Sequence, residues 1–70
     1  MGKIHSADAS KSEQLQLILM TLREYGPSTT LTLSRMSGSM AVSTRISELR
    51  ANGYEIKCER KAGKWWYTLA

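Results

Sequence analysis

Phenylalanine is absent from these 70 residues, and cysteine, proline and histidine each occur once. Each scarcity excludes something. Cys58 alone cannot form an internal disulfide, and with His5 as its only companion it cannot complete a zinc set. A reducing compartment and no metal are therefore expected. No stretch approaches the roughly 18 apolar residues of a membrane span, and Met1 to His5 lack the apolar region of a secretory leader. The expectation is a cytoplasmic protein with no membrane partner.

Length excludes more. A chain with about 60 ordered residues buries only about 60% of its unfolded surface, which leaves no room for a substrate pocket beside a core. No enzymatic activity, cofactor or small-molecule substrate is expected. His5, Ser6 and Asp8 resemble a hydrolase set only in composition, because residues so close together in an unstructured tail cannot hold triad geometry.

What is present in excess is positive charge, a formal +4, and it is unevenly placed. Residues 1–34 balance Lys3, Lys11 and Arg23 against Asp8, Glu13 and Glu24. The whole excess therefore lies beyond residue 34, where Arg35, Arg45, Arg50, Lys57, Arg60, Lys61 and Lys64 outnumber Glu48, Glu55 and Glu59. Such a surface favours a polyanionic partner without identifying it.

Residues 1–9 mix small and polar types without periodicity and are expected to form a flexible tail, with one domain over residues 10–70. Ser10 and Glu13 have the spacing of a capping box, and Leu15, Ile18, Leu19, Leu22 and Tyr25 follow at helical spacing. A first helix from about Lys11 to Tyr25 is predicted, closed by Gly26 and Pro27. Thr29 or Thr30 can cap a short second helix carrying Leu31, Leu33 and Met36 and ending at Gly38. Ser39 can cap a third, spanning about 40–52, in which Val42, Ile46 and Leu49 form the apolar stripe and Asn52 and Gly53 close the end.

After Gly53 the period falls to two. Tyr54, Ile56 and Cys58 alternate with Glu55, Lys57 and Glu59, which predicts a half-buried strand with Cys58 as a small buried hydrophobe. Lys61 to Lys64 form the turn of a hairpin, and Trp65 to Leu69 return along it. Parity puts Trp65, Tyr67 and Leu69 on the core side and Trp66 with Thr68 on the other. The expected fold class is thus α+β, three helices followed by a two-stranded antiparallel hairpin.

That order is the order of a winged helix-turn-helix. The tract Arg45-Ile46-Ser47-Glu48-Leu49-Arg50-Ala51-Asn52-Gly53-Tyr54-Glu55-Ile56 resembles the R-I-x-E-L-R-x-x-G-y-x-I segment of small winged helix-turn-helix DNA-binding proteins of phage and prophage type. Ser39 departs from the resemblance, since such proteins often place an apolar residue just after the turn glycine. The resemblance implies a transcriptional regulator or a recombination accessory factor that binds double-stranded DNA in a bacterial or phage-infected cell.

A B-DNA major groove admits one helix, which needs an apolar stripe behind it and short or basic residues in front. Rotation by 100° per residue about Ile46 turns Ala41, Thr44 and Glu48 most nearly outward, with Met40, Arg45 and Ser47 flanking them. Ser43, Thr44 and Arg45 have the hydrogen-bonding groups for base edges or phosphates. Glu48 could accept from a cytosine amine or pair with Arg45 or Arg50. Arg35, Lys57, Arg60, Lys61 and Lys64 complete the expected DNA-binding set, the last four clustering near the hairpin tip.

Two rival uses of the same surface follow from the residues. A protein partner could dock on the winged surface, with Trp66, if exposed, as its contact. Alternatively, the aromatic hairpin could stack single-stranded bases. No heptad seam marks a dimer interface, although one small domain reads so few base pairs that a dimer on DNA or a partner protein is expected.

Overall fold

A computed structural model of the chain describes residues 12–70. The expected tail and the Ser10 cap lie outside the described residues. The elements run α1 (Glu13–Tyr25), β1 (Ser28–Thr29), α2 (Thr30–Ser37), α3 (Val42–Ala51), β2 (Ile56–Lys61) and β3 (Lys64–Leu69). The fold is α+β, as expected, but the sheet has three antiparallel strands in the order β1-β3-β2 rather than two.

The extra strand is only two residues long. Ser28 pairs with Tyr67 and Thr29 with Trp66, so the link between α1 and α2 lies along the free side of the hairpin. Two residues carry no readable alternation, and the pairing partner is almost 40 positions away in sequence.

Helix α1 starts at Ser12, not Ser10: the Ser12 hydroxyl accepts from the Leu15 N–H at 3.3 Å, and Glu13 becomes the first helical residue. Its stripe of Leu15, Ile18, Leu19 and Leu22 is buried, whereas Tyr25, expected on the same stripe, is exposed. Gly26 follows with φ 76° and ψ −144°, a conformation suited to glycine that turns the chain into β1. In α2 only Leu33 of the three expected apolar positions is buried. Leu31 lies about 160° from Leu33 around the helix, on its far side, whereas Met36, about 60° from Leu33 on the last turn, is at the edge of the core face and half-exposed. Thr29 does cap this helix, its hydroxyl accepting from the Thr32 N–H.

The core is one cluster: Leu15, Ile18, Leu19, Leu22, Leu33, Val42, Ile46, Leu49, Ile56 and Tyr67, with Tyr54 and Leu69 partly buried against it. Burial of each large side chain contributes roughly 1.5–3 kcal/mol. Tyr67 is the aromatic member, reaching from the central strand under the helices. Arg23 crosses over the Tyr54 ring at 6.0 Å and closes the edge between α1 and the segment entering β2.

The turn from α2 to α3 is built from serines. Gly38 takes the left-handed conformation at φ 76° and ψ 8°. Around it the Ser37 hydroxyl donates to the Leu33 carbonyl and accepts from the Ser39 N–H. The Ser34 hydroxyl donates to the Ser39 carbonyl, and the Ser39 hydroxyl accepts from the Ala41 N–H. Ser39 is thus buried in the turn rather than capping α3, and the cap position is held by Ala41, which has no side-chain acceptor. The apolar anchor absent from this turn is replaced by hydrogen bonds, which satisfy its buried backbone groups directly.

Candidate nucleic-acid interface

Helix α3 exposes short polar side chains. Ala41, Ser43, Thr44 and Ser47 are all exposed, opposite the buried Val42, Ile46 and Leu49. Because Ala41 offers no acceptor, the first-turn N–H groups of α3 have no side-chain cap. Met40 lies in the turn ahead of the helix rather than on its flank, and its side chain is 98% exposed.

Arg45 and Glu48 are less free than expected. The Arg45 Nε lies 3.2 Å from the Glu48 Oε1, and the two side chains retain only 25% and 17% of their exposure. The facing atoms are shut off from solvent and meet as an ion pair without a hydrogen bond of good geometry. Of the two pairings open to Glu48, the structure selects Arg45. Arg50 is engaged elsewhere: its Nε and a terminal nitrogen both donate to the Ile56 carbonyl, at 3.0 and 2.7 Å.

The hairpin departs most from expectation in what it buries. Parity is as predicted, without a bulge: Ile56, Cys58 and Arg60 of β2 oppose Leu69, Tyr67 and Trp65 of β3 on one face. Only the end near α3 is covered, however. Ile56 and Tyr67 are buried and Leu69 partly so, whereas Cys58 and Trp65, expected in the core, are exposed. Six paired residues rise about 20 Å, and a core of ten side chains under three short helices does not reach that far. Beyond it the Arg60 guanidinium lies 5.8 Å from the centre of the Trp65 ring.

On the opposite face Lys57, Glu59 and Lys61 oppose Thr68, Trp66 and Lys64. Trp66 is half-buried there rather than exposed, bordered by Thr29 and Glu59 on the flanking strands. It lines a shallow hollow of about 170 Å³ with Pro27, Glu59, Lys61 and Thr68. The four basic residues of the hairpin are therefore divided, with Arg60 on the α3 side and three lysines on the other. Arg35 is exposed on the last turn of α2.

An open groove of about 440 Å³ joins the start of α3 to the hairpin, lined by Thr30, Met40, Ala41, Val42, Ser43, Cys58, Trp65 and Tyr67. A neighbouring one of about 430 Å³ runs on past Trp65, between Thr29 to Leu31 and the hairpin tip at Gly63 and Lys64. The structure thus brings Met40, Ala41 and Ser43 together with Trp65 and Arg60. Thr44, Arg45, Ser47 and Glu48 continue the surface along α3.

The chain matches no family model, no curated protein and no solved structure. The site has to be argued from its own geometry. Sequence reasoning missed Trp65 as a surface residue, and the signal was available: its cross-strand partner is Arg60, and an arginine at the edge of a small core keeps its head in water. Among the described residues no group of three His, Cys, Asp or Glu side chains is placed to hold a metal, and no helix is long and apolar enough to cross a membrane.

Proposed function

We propose that this chain is a winged helix-turn-helix protein that binds double-stranded DNA with sequence preference, without catalysing a reaction. In this reading α3 enters the major groove and the β2–β3 hairpin is the wing. The observation that carries it is the front of α3: four small exposed residues, Ala41, Ser43, Thr44 and Ser47, set on a buried stripe, with uncapped N–H groups at the entry. Small side chains let a helix approach base edges, and free N–H groups at a helix start suit phosphate oxygens. Lys57, Lys61 and Lys64 supply a phosphate-tracking surface, and Arg60 reaches from the α3 side. A small transcriptional regulator or recombination accessory factor of phage type fits both this arrangement and the resemblance of the 45–56 tract.

A titration against duplex, single-stranded and no nucleic acid tests the reading. Duplex should shift the amide resonances of Ala41 to Glu48, and five phosphate contacts would give a log–log salt slope of roughly −4 to −5. Unmoved α3 resonances or a slope near zero would remove it.

One observation favours a second reading. Met40, Leu31 and Trp65 are large apolar side chains that are 98%, 60% and 47% exposed around adjoining grooves. Exposed apolar groups gathered this way suit a protein partner. A partner that shifts the Met40 and Trp65 signals while duplex does not would establish that alternative, and quenching of Trp fluorescence by single strands alone would point to base stacking.

A further inference from the structure

Strand β2 is an edge strand of the sheet, and no other strand of the described residues pairs with its outer side. The direction of its backbone follows from two hydrogen bonds. The Glu55 carbonyl accepts from the Ala70 N–H on the β3 side, whereas the Ile56 carbonyl accepts from Arg50. Since neighbouring residues of a strand turn their backbone groups to opposite sides, Lys57, Glu59 and Lys61 face β3, and Cys58 and Arg60 face outward. The outward groups of an edge strand are a template for another strand.

The side chains along this edge carry a repeating charge. Glu55, Lys57, Glu59 and Lys61 alternate in sign, and the last three project from the sheet face that bears Trp66. Antiparallel pairing of the segment with itself about Cys58 sets Lys57 against Glu59 of the second copy and Glu55 against Lys61, and the symmetry repeats both. Each of these four charges then meets its opposite across the axis, while Lys64 of β3 on the same face has no partner there. Displacing the axis by one residue to Lys57 or Glu59 instead sets like charges against each other, which is destabilising. The charge order thus selects one register among its neighbours.

We propose that the β2 edge is a homodimer interface in which a second copy of this chain pairs antiparallel about Cys58, extending the sheet to six strands. The Cys58 residues of the two copies exchange both backbone hydrogen bonds at the axis, with their Cα atoms about 5.5 Å apart. Toward each end the Ile56 carbonyl already accepts two Arg50 donors, so the Arg60 N–H of the other copy has to displace one of them, and the axis and the four ion pairs carry most of the association. A two-fold axis normal to the sheet leaves both α3 helices on the same side. The interface shares Lys57 and Lys61 with the proposed phosphate-tracking surface, but its test uses the full chain without DNA, so failure of one does not imply failure of the other.

The test is sedimentation equilibrium at low salt up to millimolar protein, with cross-linking by a short thiol-to-thiol reagent. A dimer is expected, cross-linked through Cys58 and not in Cys58→Ser. Glu59→Lys should weaken dimerisation about tenfold or more by placing two like-charge pairs across the axis. The charge exchange Lys57→Glu with Glu59→Lys restores opposite pairs and should recover it. A monomer at every concentration, or a dimer that Glu59→Lys leaves unchanged, overturns the proposal. Circular dichroism of each variant separates loss of pairing from loss of fold.

Discussion

The Arg60 guanidinium stands 5.8 Å from the centre of the Trp65 ring, on directly opposed residues of β2 and β3. The pair extends the core face of the hairpin past the point where the helices stop covering it. A cation over an indole face at an exposed site contributes about 0.5–1 kcal/mol. A double-mutant cycle with Arg60→Ala and Trp65→Ala, followed by urea denaturation, should return a coupling of that size. A coupling near zero would mean that the two side chains share a strand register and nothing more.

The serine turn predicts an unequal response to two similar substitutions. Ser37→Ala removes the acceptor of the buried Ser39 N–H, leaving it unpaired at a cost of about 1–3 kcal/mol, while the Leu33 carbonyl loses only its second donor and keeps the helical Ser37 N–H. Ser39→Ala takes an acceptor from the N–H of an exposed residue, Ala41, which water can replace, and should cost less, about 0.5–1 kcal/mol. Chemical denaturation of the two variants checks the order, and equal losses would show that the turn is held by something other than these bonds.

At the hairpin tip Ala62 has φ 53° and Gly63 φ 75°, the two positive values of a two-residue turn that matches strand twist. Alanine is strained there. A62N or A62G should raise stability by about 0.5–1 kcal/mol, read as a higher urea midpoint with an unchanged slope. A lower midpoint would show that the methyl group has contacts worth more than the strain.

The Arg45–Glu48 pair bears on the proposed function. Glu48→Gln removes the charge that holds Arg45, and the freed guanidinium should tighten duplex binding and steepen the salt dependence by about one unit of log–log slope. Weaker binding to one sequence in particular would instead assign the carboxylate a base contact of its own. Fluorescence anisotropy at three salt concentrations distinguishes the two.

Helices were legible in the sequence because their signals are local: caps, glycines and apolar residues three or four apart. The stripe of α1 and the buried positions of α3 follow from spacing alone. What spacing could not give is how far the core extends. Cys58 and Trp65 obey the correct parity, yet parity states only which face a residue occupies, and burial depends on what covers that face. Strand β1 was invisible for a related reason, since its two residues acquire their identity from Tyr67 and Trp66 across the fold. For the candidate interface, the rotation about Ile46 that turns Ala41 and Thr44 outward, with Ser47 beside them, agrees with their exposure, whereas Glu48, turned outward by the same rotation, is largely covered against Arg45. Helical spacing also decides the partner of Glu48: Arg45 lies three residues away on the same side, whereas Arg50, two residues on, faces elsewhere and donates to the Ile56 carbonyl.

The strand order β1-β3-β2 also sets a timetable. β3 is last among the described strands and central in the sheet, so neither β1 nor β2 has a partner until it arrives. During synthesis Ser28 and Thr29 and the whole of β2 leave the ribosome with nothing to pair with, and the helices wait with the place of Tyr67 unfilled. Sheet and core must therefore close together once residues 64–69 emerge.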